Sequence, residues 1–301
     1  MCEIHSGADQ PRSWRLHLEG ANAIISSTNG SSHPNPNSQT GLLERWYTSI
    51  EALAAISEKG LRSRDLPPVE SSGGIGGVVE MEVETEKGGG VFLDDYFGFS
   101  TDLVPIFKEI GALAWERRAM EKIDVGQVLL SEEDLHTEAM LLEARIESMI
   151  TRDRSMPPNF YQGVREKLSA DVVKEFYLCN EAYGYSALLH IYRHVMRLDR
   201  GDEKVQNVVK TILVCVQRIQ PREGLSPYIV LTMPLFTAGR EALAEDRNVV
   251  RKMMSELGQR LGLRNVWRSL EFLEAGWSGV DENQGIPPPP SLHFEFTDWD
   301  V

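Results

Sequence analysis

His190 and His194 stand four residues apart in a helical pattern, a spacing that sets two imidazoles on one face as zinc ligands are set. A metalloprotease helix also needs a glutamate beside the first histidine as general base, and here Ile191 holds that place. The pair therefore reads as an ordinary helix-surface or helix-contact pair. Cys2 and His5 have the order of a ligand pair, but no second pair follows at metal-finger spacing, and chance explains them. Asp94 and Asp95 pose a harder question. Paired aspartates hold magnesium in all-α terpene cyclases, which also need a third acid shortly after and a second motif of Asn, Ser and Glu at four-residue steps. Here Tyr96, Phe97 and Gly98 follow, the next acid is Asp102, and the fourth residue after Asn248 is Lys252. An acidic turn leading into a helix is the better account. Gly73-Gly74-Ile75-Gly76-Gly77 has neither the strand and helix of a dinucleotide loop nor a terminal Lys with Ser or Thr. Ser226-Pro227 is a turn or helix start. No serine sits in a nucleophile elbow, and no catalytic, cofactor-binding or metal-binding residue is assigned.

The elements that position these residues are helical almost throughout. Trp14, Leu18, Ala21 and Ile25 recur at helical spacing. After a polar loop at 26–41, Leu43, Trp46, Ile50 and Leu53 line one face of a second helix. Residues 61–90 carry two prolines, a serine pair and glycine clusters, a composition that predicts a flexible linker. Val78 to Val83 alternates, with nothing nearby to pair with it. Ser100 or Thr101 is the expected N-cap of a helix striped by Leu103, Ile106, Phe107, Ile110 and Leu113. Leu135, Ala139, Leu142, Ile146 and Met149 form the next stripe, before the break at Met156-Pro157-Pro158. The longest helical stretch, from about Val164 to Leu198, is apolar on more than one side and belongs at the centre of the core.

Val205, Val208, Val209, Ile212, Val216 and Ile219 follow, stopped by Pro221. A segment from Tyr228 to Leu243 is expected to kink at Pro234. Val249, Val250, Met253, Leu257 and Leu261, then Val266 to Leu273, complete the series before four prolines at 287–290. The tail carries Phe294, Phe296 and Trp299 among acids; it docks on a partner or packs back on the domain. The expected fold class is all-α, a multi-helix array of antiparallel helices in one large domain. Residues 1–60 supply its N-terminal helices, 61–90 the linker, 91–280 the main helical unit and 281–301 the proline-rich and acidic-aromatic tail.

Composition narrows the function. The chain has 301 residues, 42% hydrophobic and 25% charged, and its formal net charge is -14. Such a field repels phosphate backbones, and the basic residues are scattered among acids. No apolar run is long enough to span a bilayer. The three cysteines, Cys2, Cys179 and Cys215, suit a reducing compartment and exclude a six-cysteine zinc cluster within this chain.

Four ordered stretches resemble the fungal-specific transcription factor domain, second subtype, found in proteins similar to the acriflavine-resistance and GABA-catabolism regulators. They are Trp14 to Ala21 (WRLHLEGA), then Phe97 to Ser100 (FGFS) leading to Leu103, Pro105, Ile106 and Ile110, then Ala187 to Arg193 (ALLHIYR). The most specific is Met233 to Ala242 (MPLFTAGREA), followed by Asp246-Arg247. Asn265-Val266 and Trp277 complete the order. The resemblance covers roughly Trp14 to Trp277 and supplies no catalytic residues.

The resemblance implies a large all-α regulatory domain in the nucleus that follows an N-terminal zinc cluster. It controls transcription through co-regulators or a related factor, with a small-molecule effector as a further partner. Zinc is expected only in that cluster, and DNA contact only through it. Met1 falls just before Trp14, so the cluster and its dimerising linker are expected to be missing, in a fragment, a truncated product or a natural form without DNA binding. A stand-alone helical scaffold or decoy is the second reading, and an all-α enzyme of secondary metabolism the third. Arg247, beside acids in the best-matching stretch, is expected to matter to the fold.

Overall fold

The computed structural model describes residues 38–56, 90–121 and 130–282, together with the isolated positions 20 and 25. The rest of the Trp14–Ile25 stripe, the 61–90 linker and the tail beyond 282 lie outside the described residues. So do Cys2, His5, Gly73 to Gly77 and the Val78–Val83 stretch.

Eight α-helices lie among the described residues: α1 (Gln39–Ala55), α2 (Leu103–Glu121), α3 (Glu132–Ser155), α4 (Ala170–His190), α5 (Glu203–Gln217), α6 (Thr232–Glu241), α7 (Ala244–Leu261) and α8 (Arg264–Glu282). The fold is all-α. Its one sheet among these residues is a pair of two-residue parallel strands, β1 (Phe92–Leu93) and β2 (Asn159–Phe160). Strands this short leave no alternation to see in the sequence.

Side-chain caps set several boundaries. The Oγ of Ser169 accepts from the Val172 amide at 3.3 Å, so α4 starts at Ala170 and not near Val164. A short 3₁₀ turn, Arg165–Lys167, precedes it. Helix α4 buries Val172, Phe176, Cys179, Tyr183, Ala187 and Leu189 on different sides, which makes it the central helix. Helix α2 starts at Leu103, later than a cap at Ser100 or Thr101 would allow. Ser100 is instead buried, its amide donating to Asn180 Oδ1 at 2.7 Å. Pro234 lies in the first turn of α6, where a missing amide costs little. The 3₁₀ turn Pro227–Val230 leads into that helix.

The valine stripe of α5 is buried in full, at Val205, Val208, Val209, Ile212 and Val216, with Ile219 just beyond. Each such side chain contributes about 1.5–3 kcal/mol by leaving water. Helix α1 behaves otherwise. Leu43 and Trp46 are exposed, while Ser49, Ala52 and Ala55 are buried. The docking face is the small one, because a Cβ on Gly111 of α2 would stand 2.4 Å from the Ala55 carbonyl oxygen. Backbones that close admit no bulky stripe between them.

Candidate functional site

Two charged clusters hold the residues with chemical potential. The first joins α1 to the loop after β1. Asp94 makes an Asx-type turn, its Oδ1 accepting from the amides of Tyr96 at 2.9 Å and Phe97 at 3.0 Å. Gly98 closes the loop with a left-handed φ of 72°, and a Cβ there would meet Cys179 Sγ at 2.7 Å. Arg45 reaches Asp95 at 3.5 Å and Asp94 at 3.7 Å, with all three side chains largely buried. Its guanidinium lies 3.9 Å from the Tyr161 ring centroid and 5.8 Å from that of Tyr96. Burial raises the Asp94 carboxyl above the ordinary range, opposed by Arg45 and the two amides. The aspartate pair lies in a turn leading towards α2, as the sequence suggests, but it is buried there. It is the acid half of a latch whose base comes from α1.

The second cluster surrounds the end of α4. The helix widens there into a π turn, Ile191–Val195, and closes across Arg197, which takes a left-handed φ of 58°. The Leu198 amide donates back to the Tyr192 carbonyl at 2.9 Å, as in a Schellman closure. π turns and strained residues of this kind gather at functional sites. His190 and His194 stack on each other, ring centroids 5.3 Å apart and planes at 30°. His190 as a residue is only partly covered, yet both its ring nitrogens are sealed from solvent with no hydrogen-bond partner. Burial, and then Arg240, pushes its pKa down to about 3. His194 is held well below the usual value by burial, then by His190, Arg240, Arg197 and Arg118. Both rings are neutral at ordinary pH.

Other arginines around this turn have structural work. Arg117 Nε donates to the Val195 carbonyl at 2.8 Å, and its other end pairs with Glu132. Arg193 donates to the Leu198 carbonyl and pairs with Glu241 at 2.7 Å. Cations at the C-terminal ends of helices answer the unpaired carbonyls and the helix dipole. Arg197 is held by Glu121, with contacts at 2.7 and 2.6 Å.

The remaining candidates are structural. Asp102 pairs with Arg152 at 2.7 Å. Asn248 accepts from Arg251 at 2.7 Å. Ser226 caps the 3₁₀ turn, its Oγ accepting from the Tyr228 amide at 3.3 Å. Cys179 and Cys215 are free and buried, and burial pushes the Cys215 thiol up to about 12 and Cys179 higher still. Burial keeps both thiols protonated and poorly nucleophilic. Among the described residues, no three His, Cys, Asp or Glu side chains gather as a metal set.

Sequence reasoning placed the two histidines on one face but missed their cations. Part of the signal was local: His190, Arg193, His194 and Arg197 follow helical spacing along one stripe. Arg118 and Arg240 come from α2 and α6, and only the fold brings their charge to the rings. Glu143 was likewise invisible; it is buried on α3 and accepts from Tyr192 Oη at 2.7 Å and Lys204 Nζ at 2.8 Å.

Taken with the fold, these clusters define an all-α array whose buried charges tie helices together. The family of the fungal specific transcription factor domain matches residues 1–300. The chain belongs to that family, and its role lies in the regulation of transcription. No curated protein and no solved structure matches it. No helix among the described residues is long and apolar enough to cross a membrane.

Proposed function

We propose that this chain is the regulatory part of a fungal zinc-cluster transcription factor, acting in the nucleus through protein contacts and a small effector without itself touching DNA or catalysing a reaction. The family match over residues 1–300 carries the reading. Charge supports the lack of DNA contact. The chain bears a formal -14, and many of its arginines are engaged by acids, among them Arg45, Arg117, Arg152, Arg193, Arg197 and Arg222. Engaged guanidiniums displace few counterions from a duplex. Three cysteines are too few for a six-thiolate cluster, so the residues of this chain do not fit that zinc site. Zinc and base recognition are assigned to a cluster outside these residues.

Two measurements test the reading. Fused to an unrelated DNA-binding domain, the chain is expected to change transcription of a reporter bearing that domain's site. Alone, in a mobility-shift assay near physiological salt, it is expected to leave DNA unshifted. An inert fusion sinks the regulatory role, and a sequence-specific shift sinks the division of labour.

A further inference from the structure

We propose that the outward face of α3 is a self-association surface, on which two copies of this chain pair antiparallel about a two-fold axis near Ala144. The proposal does not depend on the regulatory reading; it rests on the residues of one helix.

A helix that covers a core normally turns charge to water. Helix α5 does so, with Glu203, Lys204, Asn207 and Lys210 on its exposed side. Helix α3 differs. It buries Leu135, Ala139, Leu142, Ile146 and Met149. At about 3.6 residues per turn, the line opposite them runs through Thr137, Met140, Leu141, Ala144, Ser148 and Thr151, all exposed. Leu141 is 61% exposed and Met140 46%. Charge lies to the sides of this line, Glu138 and Arg145 on one and Glu147 on the other. The line is about 21 Å long. Its hydroxyls do not make it polar. Thr137 Oγ1 donates to the Glu133 carbonyl at 2.9 Å, and Thr151 Oγ1 to the Glu147 carbonyl at 2.9 Å. Those protons stay paired when the face is dried, so covering it costs little.

Charge chooses the occupant. Helix α3 begins with Glu132, Glu133 and Asp134 and ends with Arg152 and Arg154. A second α3 laid antiparallel brings each acidic first turn to the basic last turn of the other copy. Laid parallel, it would set acid on acid and base on base. A two-fold contact needs a patch that complements itself, and this one does so in the antiparallel sense. Arg154 is the more exposed base of that end, its side chain 54% accessible. Its Nε and Nη2 serve Glu181 and Tyr185, and a guanidinium has further N–H donors for a second carboxylate. The midpoint between Glu133 and Arg154 falls beside Ala144, whose small side chain lets the two helices approach. Met140 and Leu141 of each copy then cover Ser148 and Thr151 of the other. One helix on its own copy makes a small interface, so a weak dimer is expected, in the micromolar range.

Sedimentation equilibrium of the full chain, from about 1 to about 300 µM, tests this. A reversible monomer–dimer equilibrium is expected. M140K/L141K is expected to weaken it about tenfold or more. Its circular dichroism and urea stability should be unchanged, because both side chains already face solvent. E133R and R154E are each expected to weaken self-association about threefold, and E133R/R154E in one chain to restore it. If R154E fails to fold, E133R and M140K/L141K decide. A chain monomeric throughout, a dimer untouched by M140K/L141K, or an E133R/R154E chain no better than either single variant would each overturn the proposal. So would a large loss of stability in M140K/L141K, which would mean that a segment of the same chain covers the face.

Discussion

Around Arg45, two carboxylates and two aromatic rings close on one guanidinium. Around His194, burial and the charges of His190, Arg240, Arg197 and Arg118 keep two stacked rings neutral, and Arg197 is itself held by Glu121. Both clusters bring distant segments together. The first is balanced within the chain and works as a latch, fixing α1 to the loop after β1. The second keeps two neutral rings, with both His190 nitrogens sealed from solvent and unpartnered. Burial alone therefore does not decide the charge state: in the first cluster buried acids meet a buried cation, and in the second burial and neighbouring cations hold the rings uncharged.

The largest effect is expected from breaking the latch. Arg45→Met leaves Asp94 and Asp95 buried without their cation, and breaking a buried pair from one side costs about 3–5 kcal/mol. Urea denaturation at neutral pH measures it. The sign of the pH dependence follows from Asp94. Its folded pKa is raised by burial, so its contribution to stability is present in acid and lost as pH rises through the folded value. Losing Arg45 raises that value further. The deficit of the variant should therefore shrink in acid and grow toward neutrality. A deficit below about 1 kcal/mol at all pH values would reduce the latch to an ordinary surface pair.

The histidine cluster gives the opposite profile and a smaller effect near neutrality. The folded pKa of His190 is depressed from 6.5 to about 3, and His194 is depressed as well. Their contribution is full above the unfolded value and is lost as pH falls from about 6.5 toward about 3. The loss approaches about 1.4 kcal/mol per pH unit for each histidine. Most carboxylates do not titrate in the upper part of that window. H190L/H194L should therefore flatten the stability curve there, without flattening the acid limb below it. An unchanged slope would mean that the rings are not the groups that unfolding must protonate.

The contrast also marks what the sequence could show. The stripe from Val205 to Ile219 is legible because its bulk lies on one helical face and all of it is buried. The central position of α4 is legible because its sides are apolar all round. The outward turn of Leu43 and Trp46 was not, since α1 docks through Ala52 and Ala55 against Gly111, and small residues carry almost no hydrophobic signal. The aspartates of the latch stood out as a pair, but their partner lies on a helix separated from them by the 61–90 segment. The histidines were legible as a pair on one face. Their cations belong to three separate elements, and their meeting is a property of the fold.

The smallest expected effect concerns Arg247, an arginine of neither kind. Its Nε donates to the Ala242 carbonyl at 3.1 Å, and its guanidinium lies 5.8 Å from the Trp277 ring. Trp277 is buried and donates from its indole to the Gly239 carbonyl at 3.0 Å, so the arginine braces the join between α6 and α8. Arg247→Ala should cost about 1–2 kcal/mol, the value of a charged hydrogen bond and a half-exposed cation–π contact. Arg247→Lys should recover only part, because a compact ammonium does not reproduce the planar fork. Urea denaturation beside Arg45→Met at one pH supplies the comparison. If the two arginine losses cost the same, the stranded aspartates are not what makes the latch expensive. If Arg247→Ala costs much less, buried counter-charge is the distinguishing term.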